Sequence, residues 1–369
     1  MSCFPGQDPG DMGVKGQKIN AKVKPGPRNL ITDVAGIKVG NASSQKARTG
    51  ATLVLPDQPA IAGVDVRGGA PGTRETDALD PSSLLGGRVD ALVLSGGSVY
   101  GLDAASGVTA WLGAQGRGFE IASSPLTAPI VPAAILFDLA NGGDKNWGET
   151  PPYAALGRQA CLDAAEQFAL GNSGAGLGAK AGTYKGGLGS ASALTDDGFE
   201  VGALMAVNAF GAPTQPGTGT FWAAPFEMNG EFGGVASDQA GRMSPAAIDP
   251  LVGSKFSGVP PAPDTPRQNT TIGVVAVNAA LTGAQANRIA AMAHDGMARA
   301  LRPIHTELDG DVIFVLATGK KPLSDDTLQY DLMRLGSLGA DCVARAIARG
   351  VYEAETLGEM VSYKDQHRP

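Results

Sequence analysis

Short apolar runs separated by glycine and polar residues recur along the chain and predict β-strands. The runs lie at positions 38–39, 51–55, 60–66, 91–94, 190–195, 199–208, 272–278 and 312–318. Longer segments with apolar residues at helical spacing predict helices near 98–112, 154–170, 282–301 and 325–352, the last with glycines at 336–339 that could break it. Strands and helices alternate, but several strands follow one another as hairpins. The pattern therefore predicts a layered α/β fold built on a mixed sheet.

Composition marks one terminal extension and one long insertion. Residues 1–28 hold five Lys/Arg and two Asp without an apolar segment, so we expect a flexible extension rather than a signal peptide. A single catalytic domain is expected over 29–369. Residues 211–268 form a Gly-, Pro- and Ala-rich excursion that ends in the proline-rich stretch 260–266. An exposed loop of this kind is a typical processing region, and it stops shortly before Thr270.

Charge and cysteine content exclude several classes of protein. The net charge is −7, and no basic stripe with interleaved aromatic residues is present, so we expect no nucleic-acid partner. The three cysteines are scattered and odd in number, which fits a reducing compartment and predicts a cytoplasmic protein. No apolar run approaches the ~18 residues of a membrane span, so we expect no membrane partner either.

A hydroxyl residue stands at the start of one apolar strand, and two carboxylates precede another. Thr270 and Thr271 open the run at 272–278, while Asp309 and Asp311 form an Asp-Gly-Asp turn before 312–318. If the chain is cut before Thr270, the new α-amine becomes the base, which suits a chain with only three histidines. The alternatives are that threonine simply starts a strand and that the two acids form a solvated turn.

Two further polar residues could contribute to such a site. Asn208 closes the run at 199–208 and is either a turn residue or an amide donor to an oxyanion. Lys185 is either a surface lysine or part of the wall of a cleft. The glycine-rich segment 174–180 fails both nucleotide-binding patterns, and the Asp-Gly-Asp turn lacks the later Glu of a calcium loop. The histidines are dispersed along the sequence, so we expect no cofactor and no metal.

Six short segments together carry a resemblance to a known family. They are I-T-D-V-A-G at 31–36, R-G-G-A-P-G-T-R-E-T-D at 67–77, S-G-G-S-V-Y-G-L-D-A-A at 95–105, K-G-G-L-G-S at 185–190, N-T-T-I-G at 269–273 and D-G-D at 309–311. In this order they resemble the autoprocessing L-aminopeptidase/D-esterases, a family that includes β-peptidyl aminopeptidases and endo-type aminohexanoate-oligomer (nylon) hydrolases. They span nearly everything from residue 29 onward.

The resemblance implies a four-layer α-β-β-α sandwich of the N-terminal-nucleophile type that cuts itself into two chains. The cut would fall between Asn269 and Thr270 and give a large chain of residues 1–269 and a small chain of residues 270–369. Thr270 would then attack amide carbonyls. The other site positions of the family fall on an oxyanion-donating amide, an acid pair and a site lysine: Asn208, Asp309, Asp311 and Lys185.

Two departures from the family bear on the substrate. Serine-type members have a Ser-x-Glu pair where this chain has Asp-Gly-Asp, so the chain is closer to the nylon-hydrolase branch, which in turn has a site tyrosine where this chain has Phe137. The first expectation is an aminopeptidase that releases small N-terminal residues from peptides, amides or esters, as a homo-oligomer of cleaved chain pairs. The alternatives are an endo-acting hydrolase of ω-amino-acid oligomers, an acyltransferase of related architecture and a non-catalytic module.

Overall fold

The structure is a computed structural model that describes residues 22–234, 249–255 and 269–367. Its strands are β1 Val23–Lys24, β2 Ile37–Ser44, β3 Thr49–Pro56, β4 Ala60–Val66, β5 Thr73–Arg74, β6 Arg88–Val89, β7 Leu92–Ser95, β8 Phe119–Glu120, β9 Thr127–Ala128, β10 Ala133–Ile135, β11 Lys180–Ala181, β12 Tyr184–Lys185, β13 Gly187–Thr195, β14 Glu200–Asn208, β15 Thr270–Ala279 and β16 Val312–Lys321. Its α-helices are α1 Ala104–Ala114, α2 Tyr153–Leu162, α3 Gly283–Ala300, α4 Leu328–Tyr352 and α5 Tyr363–His367.

The larger sheet is built around the long strands β13 to β16. Within the described residues it has seven strands in the order β1-β13-β14-β15-β16-β4-β6. Neighbouring strands are antiparallel except β15 and β16, which are parallel and are connected through α3, because parallel strands need a crossover. Every residue of β15 is buried, which explains why its sequence is an almost continuous apolar run.

The smaller sheet faces the larger one across a shared core. It has five strands in the described part of the chain, in the order β2-β3-β7-β10-β5. In the larger sheet, Val274 and Phe314 point into the core between the sheets, whereas their neighbours Val275 and Val315 point into the core under α3 and α4. Helices α1 and α2 cover the outer face of the smaller sheet. The layers are therefore α-β-β-α, and the predicted four-layer sandwich is confirmed.

Two helix predictions are wrong in detail. Helix α2 ends at Leu162 instead of near 170, because the chain leaves the helix and exchanges backbone hydrogen bonds with the edge strand β2 at 165. Helix α4 runs unbroken through 336–339. A Cβ atom on Gly336 would lie 2.5 Å from the Met292 side chain, and one on Gly339 would lie 3.3 Å from Val275. These glycines therefore allow close packing of α4 instead of ending it.

Residues Val23–Lys24 form a short strand of the larger sheet. Val23 pairs with Thr195 at the end of β13, and the Gly26 N–H donates to the Ser192 hydroxyl at 3.0 Å. The flexible extension expected over 1–28 is therefore wrong for its last residues, whereas residues 1–21 lie outside the described residues. A two-residue strand carries no hydrophobic pattern, so it could not be predicted from the sequence.

The long excursion is described in part. It contains a 3-10 helix at Ala224–Phe226 and a backbone bridge between Ala212 and Arg302. The proline-rich stretch 260–266 lies outside the described residues, so its interpretation as a processing region stays a prediction. In the part of the chain that the structure describes, no helix combines the length and the apolar character needed to cross a membrane.

Candidate active site

The larger sheet brings the predicted hydroxyl, amide and carboxylates to one edge. Thr270 opens β15 and is the ladder partner of Asn208, the last residue of β14. On the other side, Asn269 forms a parallel bridge with Asp309, shortly before β16 begins. Because β15 and β16 are parallel, the residues that precede them meet at the same edge of the sheet. Residues far apart in the sequence are therefore neighbours here.

The bond predicted to be cut lies inside this cluster. The Thr270 hydroxyl donates to the carbonyl oxygen of Asn269. The backbone N–H of Gly310 donates to the same oxygen at 3.1 Å. Thr270 is buried, so few water molecules compete for these contacts. The hydroxyl that would attack this peptide bond therefore lies next to its carbonyl group, whose oxygen is polarised by an N–H.

Asp311 is fully buried, and both of its oxygens are hydrogen-bonded. Its Oδ1 accepts the backbone N–H of Thr271 at 2.7 Å. Its Oδ2 accepts from His305 twice, from the backbone N–H at 3.1 Å and from ring Nδ1 at 2.8 Å. The carboxylate therefore connects the residue after the candidate nucleophile to a histidine on the preceding turn.

Asp309 is equally buried and is bound by a different set of donors. Its Oδ1 accepts the Phe210 N–H at 3.3 Å, and its Oδ2 accepts the N–H and the hydroxyl of Thr306 at 3.0 and 2.6 Å. Burial raises the pKa of the Asp309 carboxyl to about 6, and the charge of Asp311 adds to this shift. Asp309 therefore takes up a proton at a mildly acidic pH. These buried contacts contradict the alternative of a solvated turn.

A pair of histidines supports the acid turn, which the sequence did not predict. The rings of His294 and His305 pack edge to face with centroids 4.9 Å apart. His294 Nε2 also lies 3.0 Å from the backbone oxygen of Asp65. Burial, more than any other cause, lowers the pKa of His294 to about 4, so its ring is neutral near pH 7. The two histidines are separated in the sequence, so their contact, which continues from His305 to Asp311, could not be predicted from it.

Asn208 is held in one orientation by three contacts. Its Oδ1 accepts the backbone N–H of Lys180 at 2.9 Å and the ammonium of Lys255 at 3.2 Å. Its Nδ2 donates to the backbone oxygen of Phe137 at 2.9 Å. Because a backbone N–H only donates, the side-chain oxygen must face Lys180, which fixes the amide group. The Nδ2 group is therefore the side of this amide that donates hydrogen bonds.

Lys255 is a second residue that the sequence did not single out. Its ammonium lies 3.1 Å from the backbone oxygen of Asn208, in addition to the side-chain contact above. Burial lowers the pKa of Lys255 to about 7, the Lys180 charge lowers it further, and Asp309 opposes the shift. Lys255 lies in the long excursion of the chain, where no local pattern distinguishes one lysine from another.

Lys185 is fully buried, and its ammonium is bound by backbone oxygens. Its fully buried ammonium donates to the backbone oxygens of Gly176 and Gly186 at 3.0 and 2.6 Å. Burial lowers its pKa to about 7, partly offset by Asp138. Within the described residues, no hydrogen bond links Lys185 to Thr270, so its predicted role as a site lysine stays a prediction.

Asp138 is the carboxylate that acts on the pKa of Lys185. Its Oδ1 accepts the Gly97 N–H at 2.8 Å, and burial raises its pKa to about 6. A cavity of about 630 Å³ opens next to it and is lined in part by Phe137, Lys180, Asn208 and Lys255. Asn208 is both a lining residue of this cavity and the ladder partner of Thr270, so it links the cavity to the candidate nucleophile. This volume is sufficient for a small amide substrate.

The described residues hold no group of three His, Cys, Asp or Glu side chains placed to bind a metal ion. The expectation of chemistry without a metal or cofactor is not tested by this finding and stays a prediction. What the geometry offers is a hydroxyl, two buried carboxylates, an oriented amide and a lysine whose pKa is near neutrality, all around one peptide bond.

Comparison with known proteins identifies the class. The pattern of Peptidase family S58 matches residues 29–363, so the chain belongs to that family. The chain is 43% identical to a protein of Mycobacterium tuberculosis named as an uncharacterized aminopeptidase, over 91% of this chain and 97% of the relative. It is 27% identical to a 6-aminohexanoate-oligomer endohydrolase of Kocuria sp., over 87% and 86%. The resemblance inferred from the sequence is confirmed.

Solved structures show the same fold at lower identity. A β-aminopeptidase of Burkholderia sp. superposes with a TM-score of 0.65 at 21% identity, covering 94% of both chains. The L-aminopeptidase D-Ala-esterase/amidase of Ochrobactrum anthropi superposes with a TM-score of 0.64 at 21% identity, covering 92% of both chains. The Ochrobactrum protein is described as a variant of the N-terminal nucleophile hydrolase fold, which is the fold expected here.

Proposed function

We propose that this protein is an autoprocessing amide hydrolase whose nucleophile is Thr270. The observation that carries the proposal is the Thr270 hydroxyl held against the Asn269 carbonyl oxygen, with the Gly310 N–H on the same oxygen. The buried carboxylates of Asp309 and Asp311 flank this bond. An ordinary strand-starting threonine needs none of these partners, so the arrangement favours a catalytic role.

Self-cleavage would proceed as an N→O acyl shift. The Thr270 oxygen attacks the carbonyl carbon of Asn269, and the C–N bond to Thr270 breaks as its nitrogen takes up the hydroxyl proton. An ester then links Asn269 to the Thr270 side chain. Water hydrolyses the ester and leaves a carboxyl group on Asn269 and a free amine on Thr270. The Gly310 N–H stabilises the negative charge that develops on the Asn269 oxygen.

The freed amine changes the chemistry that the site can perform. It takes the proton of the Thr270 hydroxyl, which then attacks a substrate carbonyl and forms an acyl-enzyme. The leaving amine receives that proton, and water hydrolyses the acyl-enzyme. Asn208 and Lys255 are the proposed oxyanion donors, because Asn208 pairs with Thr270 in the ladder and Lys255 contacts Asn208. No histidine is needed in contact with the nucleophile.

Aminopeptidase action on small N-terminal residues is the substrate proposal that we favour. It is supported by the 43% identical mycobacterial relative named as an aminopeptidase. Endo-hydrolysis of ω-amino-acid oligomers is the second candidate, supported by the Kocuria relative named for that activity and by the Asp-Gly-Asp turn. The two candidates share the nucleophile and differ in whether a free amino group must lie next to the scissile bond.

A substrate assay with matched variants tests the proposal. Purified protein is assayed on L-alanyl 4-nitroanilide, on its N-acetylated form and on a 6-aminohexanoate oligomer. We expect turnover of the free-amine anilide only, and no turnover by Thr270→Ala. Thr271→Val is the control, because the Thr271 hydroxyl has no hydrogen-bond partner among the described residues and valine has nearly the same shape. Full activity of Thr270→Ala would refute the proposal, and turnover of the oligomer would favour the second candidate.

A further inference from the structure

The cavity beside Asn208 is rich in positive charge. Its lining includes Arg48, Lys180 and Lys255. The acids in the same lining are Asp138, which is buried and is approached by Lys185, and Glu359, which is exposed to solvent. A wall that gathers three cations at the mouth of a candidate active site favours anions over cations as ligands.

The Lys180 side chain has no counterion in the part of the chain that the structure describes. Its ammonium forms no hydrogen bond or ion pair there, although its backbone N–H donates to Asn208. Lys180 also lies near enough to Lys255 to lower the pKa of that ammonium. Two neighbouring positive charges repel each other, and an anion bound between them would relieve this repulsion. Lys180 lies on the short strand β11, which pairs with β12.

The contacts of the two lysines indicate how far a bound group would lie from the reacting bond. The Lys255 ammonium and the Lys180 backbone N–H contact the Asn208 side chain, and Asn208 faces Thr270 in the ladder. Facing residues of an antiparallel pair have Cα atoms about 4.5–5.5 Å apart, and one residue spans about 3.5 Å. A carboxylate bound at the Lys255 ammonium therefore lies about one or two residues from the scissile carbonyl, and the Lys180 side chain belongs to the lining of the same cavity.

We propose that Lys180 and Lys255 form a carboxylate-binding site, so that preferred substrates carry a carboxylate within one or two residues of the scissile amide. The inference rests on the proposed hydrolase function and narrows its substrate class. Two sources supply such a group: the free α-carboxylate of a dipeptide, on the leaving side, or an acidic side chain on the residue that is released. Arg48 lines the same cavity and adds to its positive potential.

The test compares matched charged and neutral substrates in self-cleaved protein. The leaving-side pair is alanyl-alanine and alanyl-alanine amide. The acyl-side pair is aspartyl and asparaginyl 4-nitroanilide. For at least one pair, we expect kcat/KM to be about 10- to 100-fold higher for the carboxylate, in line with hydrogen bonds to a charged group. The pair that shows the preference identifies the source of the carboxylate.

Two lysine variants decide whether Lys180 causes the preference. Lys180→Met keeps the chain length and the backbone N–H but removes the charge, and it should reduce the charged-to-neutral ratio about tenfold. Lys46→Met is the control, because that ammonium pairs with Asp144 on the surface, with its side chain 81% exposed, and it should leave the ratio unchanged.

Each outcome bears on a different claim. An unchanged ratio in Lys180→Met, or no preference in either pair, would overturn the carboxylate site while the neutral substrates still report hydrolase activity. If self-cleaved protein turns over none of the four substrates, the proposed function itself fails and the carboxylate site fails with it. The two failures are therefore distinguishable in a single set of assays.

Discussion

The two sides of the candidate site satisfy their buried charges in different ways. On the acidic side, Asp309 and Asp311 receive hydrogen bonds from neighbouring backbone and side-chain donors on every carboxylate oxygen. On the basic side, the Lys185 ammonium donates to two backbone oxygens, and within the described residues the Lys180 ammonium has no hydrogen-bond or ion-pair partner.

This contrast suggests that the acidic side positions the nucleophile and that the basic side binds the substrate. A side whose carboxylate oxygens all accept hydrogen bonds holds those carboxylates in place, which suits the precise placement of a nucleophile. A side that gathers positive charge around a cavity suits the binding of a negatively charged ligand. Changes on the acidic side should therefore affect turnover of every substrate, whereas changes on the basic side should affect the choice among substrates.

The largest effect is expected from the acid pair. Asp309→Asn and Asp311→Asn keep the size of the side chain but remove its charge. We expect kcat on an aminoacyl amide to fall by ~100-fold or more, as for other oriented catalytic groups. Rates are measured on the fully cleaved fraction, so that loss of processing is not counted as loss of turnover.

A control for the acid pair comes from the same turn. Glu307 is exposed, so Glu307→Gln should keep nearly normal turnover. Near-normal rates in both aspartate variants would remove the acidic side from the mechanism and leave its hydrogen bonds with a purely structural role.

The pH dependence of self-cleavage is a more selective test of the acidic side. The Asp309 pKa is raised to about 6, so the group is a carboxylate above that pH and a neutral acid below it. The precursor has no free amine on Thr270, so that amine cannot contribute to the profile. We expect the cleavage rate to fall about tenfold per pH unit below pH 6.

The measurement uses precursor recovered unfolded and refolded at pH values between 5 and 8, with the cut fraction read on a denaturing gel. The Asp309→Asn precursor should be slower and should lose this acidic limb. A limb that persists unchanged in that variant would show that another group controls the rate.

A smaller effect is expected from His305, which acts through Asp311. His305→Ala removes the 2.8 Å bond from Nδ1 to Oδ2 and should lower turnover about tenfold. His305→Asn should restore most of it, because asparagine can donate from a similar position. Asparagine also tolerates the left-handed backbone at this residue, where φ is 57°. Equal losses in both variants would indicate that His305 contributes by packing against His294 and not by orienting Asp311.

Much of the fold was predictable because its determinants are local. The runs that form β14, β15 and β16 are continuous and apolar, so these strands and their order along the chain could be inferred. The four layers followed from the family resemblance, since a hydrophobic pattern alone does not count sheets. Strand β1 and the unbroken α4 were missed because one is too short to show a period and the other uses glycine for packing.

The two sides of the site differed in how far the sequence could predict them. Thr270 and Asp309 stand at the starts of two strands that the apolar pattern predicts, so both could be named from the sequence. The structure shows that these strands are adjacent. Lys255 contacts Asn208 over a separation of 47 residues, and the contact of His305 with Asp311 depends on the geometry of a turn. Neither contact is encoded in a local sequence pattern. The basic side is therefore known mainly from the structure.

Intact-mass measurement of the purified protein tests the central claim most directly. We predict two chains, residues 1–269 and 270–369, with Thr270 as the new N-terminus, in wild type and in Thr271→Val. Thr270→Ala should give a single full-length chain. A wild-type protein that hydrolyses aminoacyl amides as one uncut chain, or a Thr270→Ala protein cut at the same bond, would contradict the assignment of Thr270 as the nucleophile.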